Sequence, residues 1–194
     1  MKIKLLLYTL IIMIGCKAQN NNKRMETFDK IQFDKNKVNG EYNFVLNDGK
    51  LVRQMENPKR GEYTEVISDP AKPYSTVNVF FMASGRLKIK GFKFYDMPIH
   101  TWKYYDENGG QVKETNWDTP FKLSIDEVAR IMKAMNVDIM NRHNGVEVDR
   151  MDDPHPKYVV AYPVGKERPY DINSVYIDGI TGKILEKTVS SVKH

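Results

Sequence analysis

One cysteine, Cys16, is all that the 194 residues contain. A single thiol excludes an internal disulfide and any zinc site built from cysteines. Histidine is scarce too, with His100, His143, His155 and His194. None falls in an H-x-x-x-H or H-E-x-x-H spacing, so no metal site and no cofactor are expected. The G-x-S-x-G elbow and the Gly-rich phosphate loop are missing, and no catalytic residue can be named. The chain is therefore read as a non-enzyme. No apolar run reaches the roughly 20 residues that a membrane-spanning helix needs. Charge of one sign is not in large excess either, since 30 Lys and Arg face 25 Asp and Glu, a net +5. That balance is too mild for a nucleic-acid footprint. An apolar share of 41% and a charged share of 28% are ordinary for a globular chain, and the length suits one domain or two small ones.

What is present begins at the first residues. Lys2 and Lys4 precede a ten-residue apolar stretch, Leu5 to Ile14, interrupted only by Tyr8 and Thr9. This order of charge and short apolar run is that of a signal peptide, assigned to residues 1–15. The stretch closes on Ile11-Ile12-Met13-Ile14-Gly15-Cys16. It resembles the lipobox of bacterial lipoproteins, with Met13 where Leu is usual. The resemblance implies that Cys16 becomes the first mature residue and carries a diacylglycerol thioether and an N-acyl chain. Several acyl chains anchor stably, at ~0.8 kcal/mol per buried CH2. Residues 16–24 then form a lipidated tether, since KAQNNNKR is polar and carries three consecutive Asn. Cys16 is not followed by an acidic run, so the expected location is the cell envelope, lipid-anchored at the outer membrane and facing the periplasm.

The mature chain divides at about residue 120. Residues 25–119 read as β-rich. Phe28, Ile31 and Phe33 leave helix and strand both open for 25–33. Beyond them short alternating segments are separated by turn signals: Asn47-Asp48-Gly49, Asn57 to Gly61, Asp69 to Pro73, Ser84-Gly85 and Asp106 to Gly110. Period-two alternation with turns at short intervals predicts an antiparallel meander. Residues 120–194 change character. Val128, Met132, Met135 and Ile139 follow helical spacing, Ser124 and Glu127 form a capping box, and Leu123 with Val128 a hydrophobic staple. Tyr158 to Tyr162, Asn173 to Ile177 and Lys183 to Lys187 read as strands. The expected class is α+β, an antiparallel β-meander followed by a helix packed on a small antiparallel sheet. Glu147, Asp149, Asp152, Asp153 and His155 are expected in a solvated acidic loop over 147–155, without the spacing of a calcium loop.

Two further resemblances are carried by motifs. Phe81-x-x-Ser84-Gly85-x-Leu87, Gly91-Phe92 and Thr101-Trp102-Lys103-Tyr104-Tyr105-Asp106-Glu107-Asn108-Gly109 resemble the MORN-type repeats of YwqK-like antitoxin proteins. His100 stands where such repeats usually have Gly. Asp178-Gly179-Ile180-Thr181-Gly182-Lys183-Ile184-Leu185, behind the capped helix, resembles the turn of a PepSY-type module. The first resemblance implies an immunity protein: a lipoprotein that binds and neutralises a toxin acting on the envelope. The second implies an envelope accessory or peptidase inhibitor working through the PepSY-like half. Either way the expected partners are a protein and, through the lipid, a membrane, with no nucleic acid. Strand alternation places Arg86, Lys88, Lys90, Lys93, Tyr95 and Tyr105 on one exposed face as the partner-binding set. Leu87, Ile89, Phe92, Phe94, Trp102 and Tyr104 are then expected opposite them and buried, unless a bulge near Gly91 or Pro98 exchanges the faces.

Overall fold

The computed structural model describes residues 26–165 and 171–191. The residues read as signal peptide and tether, Cys16 among them, lie outside the described residues. Among the described residues no helix is long and apolar enough to cross a membrane.

Seven strands pair in sequence order as one antiparallel meander: β1 Glu41–Val45, β2 Leu51–Asn57, β3 Glu62–Ser68, β4 Tyr74–Phe81, β5 Leu87–Phe94, β6 Met97–Tyr105 and β7 Gln111–Asn116. The turn signals sit between them, with Gly49, Gly85 and Gly109 at φ 83°, 72° and 88°. Such angles favour glycine, which has no Cβ to clash. The ambiguous start resolves as helix α1, Lys30–Asn36, capped where the Asp29 carboxylate accepts from the Gln32 N–H at 2.9 Å. Its Phe33 and the preceding Phe28 pack with Tyr63, Phe80 and Leu87 as a small core on one face of the meander. Phe28 stacks on Tyr63 at 4.3 Å.

Helix α2, Ile125–Ala134, starts at the capping box: the Ser124 hydroxyl accepts from the Glu127 N–H, and the Glu127 carboxylate accepts from the Ser124 N–H. It ends before the predicted spacing does, because Asn136 turns left-handed at φ 62°. Ile139 is still buried, from the segment beyond the helix. A second antiparallel sheet follows, ordered β11-β10-β9-β8, with β8 Glu147–Met151, β9 Lys157–Val164, β10 Asp171–Asp178 and β11 Ile184–Ser191. The α+β class is as expected, a meander followed by a helix on a small antiparallel sheet.

The acidic loop needs correcting. Residues 147–151 are strand β8, whose Val148 is buried while Glu147 and Asp149 point to solvent. Alternating charge hid the strand, because every second residue faces water. The loop proper covers 152–156.

The main core joins both parts. Phe94, Met97 and Ile99 from the β5–β6 hairpin pack with Ile125, Val128 and Met132 of α2 and with Tyr158, Val160, Val175 and Ile177 of the second sheet. The Asp178-to-Gly182 turn is tied into this core. The Gly179 carbonyl accepts from the Lys122 and Leu123 N–H groups, and a Cβ on Gly179 would lie 2.6 Å from the Phe121 ring.

Candidate functional site: a cross-strand groove and the His100 junction

The six residues expected to form a binding face do not share one. Two register irregularities intervene, between Val79 and Phe80 in the β4–β5 pairing and between Lys90 and Phe92 in the β5–β6 pairing. Lys90 lies across from Asn78, whereas Lys93 lies across from Ser75, so the two fall on opposite faces. Lys88 ion-pairs with Glu62 at 2.8 Å beside the Phe81 ring, and Lys90 pairs with Glu26 at 2.6 Å. Arg86 donates to the Glu107 carbonyl at 2.7 Å, linking adjacent turns of the meander. Neither tyrosine is a free anchor. Tyr95 donates its hydroxyl to the Ile139 carbonyl at 3.0 Å, and Tyr105 packs on the Phe28–Phe33 core. On the other side of the expectation Leu87 and Phe94 are buried, Ile89, Trp102 and Tyr104 are half-buried, and Phe92 is exposed.

The face of Val77 carries something else. Cross-strand partners there form two adjacent rows: Val45, Leu51, Ser68, Ser75 and Lys93, then Asn43, Arg53, Val66, Val77 and Gly91. All of these but Gly91, whose side-chain place Trp102 fills, line a groove of about 610 Å3 that runs across β1 to β5. Pro73, Tyr95, Asp96 and Arg142 line it too. They are brought there by two backbone bonds, from the Tyr95 N–H to the Pro73 carbonyl at 2.6 Å and from the Arg142 N–H to the Ala71 carbonyl at 3.2 Å. Of its cations Arg53 is held by Glu41, Lys93 makes only a 3.7 Å contact with Asp96, and Arg142 has no ion pair among the described residues.

A second cluster marks the junction of the two sheets. His100 has φ 59°, a left-handed conformation uncommon for a residue with a Cβ. Asp118 holds it twice, accepting from the His100 N–H at 3.1 Å and meeting Nδ1 at 3.0 Å. Arg150 donates to Asp118 at 3.0 Å, to the Trp117 carbonyl at 2.9 Å and to the Tyr158 hydroxyl at 2.9 Å. Its side chain is 9% exposed, with the guanidinium 4.7 Å from the Phe121 ring centre and 5.1 Å from that of Tyr158. Tyr158 in turn donates to the Leu123 carbonyl at 2.6 Å. Burial raises the Asp118 pKa, but the His100 backbone N–H and ring, with Arg150, outweigh it and leave the carboxyl below its ordinary range. The His100 ring remains open to solvent and borders cavities of about 440 and 300 Å3. Ser124 lines the smaller one, but its hydroxyl donates to Glu127 at 2.7 Å, so the helix cap occupies it.

Sequence reading missed Asp118, Arg142 and Arg150, and no local spacing could have found them. Apart from the Arg150 bond to Tyr158, eight positions on, they meet their partners across 18 to 71 positions, since Asp118 follows His100 by 18 and Arg142 follows Ala71 by 71. His100 did stand out, as a non-glycine where the repeats that the sequence resembles usually have Gly. Among the described residues no group of three or more His, Cys, Asp or Glu is placed to hold a metal ion. No protein-family model matches the chain, and no curated protein matches it.

Proposed function

We propose that this is a lipid-anchored, non-catalytic capture protein of the cell envelope, an immunity-type lipoprotein that binds a toxin and blocks it sterically. The open groove on the Val77 face supports this reading. It combines an apolar lining from Val45, Leu51, Val66 and Val77 with cations that internal carboxylates leave incompletely matched. Protein interfaces favour such a mixture of apolar surface and arginine. A cationic rim also speeds association with an acidic partner, an effect that salt weakens. The test is deletion of the gene followed by challenge with toxin-delivering competitor cells, alongside affinity capture on the tagged protein. Sensitised cells and a stoichiometric co-purified toxin are expected. Deleted cells that survive as well as the parent would end the immunity reading.

A second reading, an envelope accessory or peptidase inhibitor acting through the PepSY-like half, draws on edge strand β11. It leaves Leu185 and Val189 exposed beside an edge that pairs with no other strand among the described residues, which suits strand addition by an extended chain. Capture that is lost in a Thr188→Pro variant, with the meander groove intact, would favour it.

A further inference from the structure

We propose that the groove across β1 to β5 takes an extended acidic peptide segment of the partner, with its carboxylates at Lys93 and Arg142. The assignment deepens the capture reading and rests on it for the source of the peptide.

Three observations converge on this occupant. The first is size. Five strands at ~4.8 Å spacing make a trough about 19 Å long, the span of about six extended residues at ~3.3 Å each. The volume of about 610 Å3 lies within the range of binding sites. The second is the mixed lining. In one row Val45 and Leu51 lead into Ser68 and Ser75, and in the other Asn43 and Arg53 lead into Val66 and Val77. An acyl chain laid there would strip water from Asn43, Ser68 and Ser75 and return no hydrogen bond, which is costly. A peptide offers an N–H or C=O at every residue to meet them, while its apolar side chains meet the valines. A chain crossing the strands at right angles cannot join the backbone ladder, so these side chains are the groups that recognise it. The third is charge. Arg53 is neutralised by Glu41, but Lys93 has only the 3.7 Å contact with Asp96, and Arg142 has no ion pair among the described residues. Both line the groove beside Tyr95, and a carboxylate from outside would match them.

The probe is a fluorescein-labelled hexapeptide of alternating valine and glutamate, acetylated and amidated so that it has no terminal charge. Anisotropy is read with the purified mature chain. Saturable binding is expected, weakening as salt rises, with at least tenfold loss in the Lys93→Glu plus Arg142→Glu variant and in Val66→Trp. Thermal melts of both variants check the fold, and Arg142→Ala, which leaves its backbone bond to Ala71 in place, serves as a milder second variant with about threefold loss. A valine–lysine hexapeptide should not bind, and palmitate should not displace the acidic probe. Absence of binding, equal affinity in folded variants, equal binding of the lysine peptide or displacement by palmitate would each overturn the proposal. If cells lacking the gene are sensitised to toxin while the doubly charge-reversed protein still protects them, the immunity reading stands and this occupant is wrong.

Discussion

Gly91 is a glycine because Trp102 occupies the place of its side chain. A Cβ there would come within 2.2 Å of the indole, and the contact is with a ring whose Nε1 is tied to the Phe92 carbonyl at 3.0 Å. Its φ is not positive, so the requirement is steric and not conformational. Gly91→Ala is therefore expected to destabilise the fold by about 2–4 kcal/mol, as overpacking of a close contact does. In a Trp102→Ala background the same change should cost under about 1 kcal/mol, and a denaturation double-mutant cycle measures the difference. Additive effects would show that the indole is not the obstacle. His100 presents the opposite case, a side chain at a position where glycine would be relaxed. Left-handed strain of about 1–3 kcal/mol is removed by His100→Gly, against the loss of one exposed contact to Asp118. That variant should melt no lower than the wild type. His100→Val, whose branched Cβ resists positive φ, should melt clearly lower. Equal melting of the two would mean that the angle carries little strain.

Between elements, the Asp118–Arg150 pair joins the end of the meander to the second sheet, with His100 on one side and Tyr158 on the other. The Asp118 pKa is lowered by folding, so its contribution to stability is full above the ordinary value of 3.8 and is lost as pH falls through the lower folded value. Asp118→Asn should lower the melting temperature at pH 7, since it leaves the buried Arg150 without its carboxylate. The gap between variant and wild type should then narrow as pH is brought towards 3. A gap that stays constant between pH 7 and pH 3 would show that the carboxylate is not stabilised by folding. Helix α2 was legible in advance because its start is written locally, as Ser124, Glu127 and Leu123. Its end was not, because nothing in the Met135 and Ile139 periodicity records the left-handed turn at Asn136. Burial of Ile139 by the surrounding core preserves the helical spacing after the helix has stopped.

At the scale of the whole molecule the two halves are not separate bodies in energetic terms, since Phe94, Met97 and Ile99 of the meander belong to the core of α2 and the second sheet. The division near residue 120 marks a change of architecture and leaves that core continuous. The proposed attachment to the envelope is a separate matter that rests on the first residues. Cys16→Ser is expected to shift the protein from the detergent phase to the aqueous phase, or to leave the precursor uncleaved, and to abolish labelling by fatty acid. Labelled fatty acid in the mutant would remove Cys16 as the lipid site.

The α+β class, the turns and the capped helix are legible in the chain, because turn glycines, caps and period-two alternation act over a few residues. The chain also carried the hint at His100. Which face a residue meets beyond a bulge depends on strand register, which the chain does not spell out locally. One extra residue in a strand reverses everything after it. Lys90 and Lys93 stand three residues apart in an unbroken stretch of the β4–β5 pairing, so alternation itself puts them on opposite faces, and the irregularities at Phe80 and around Gly91 shift the register on either side of that stretch. The groove exists for the same reason: residues as far apart as Val45, Val77 and Arg142 come together through strand register and two backbone bonds, and neither leaves a local trace in the chain.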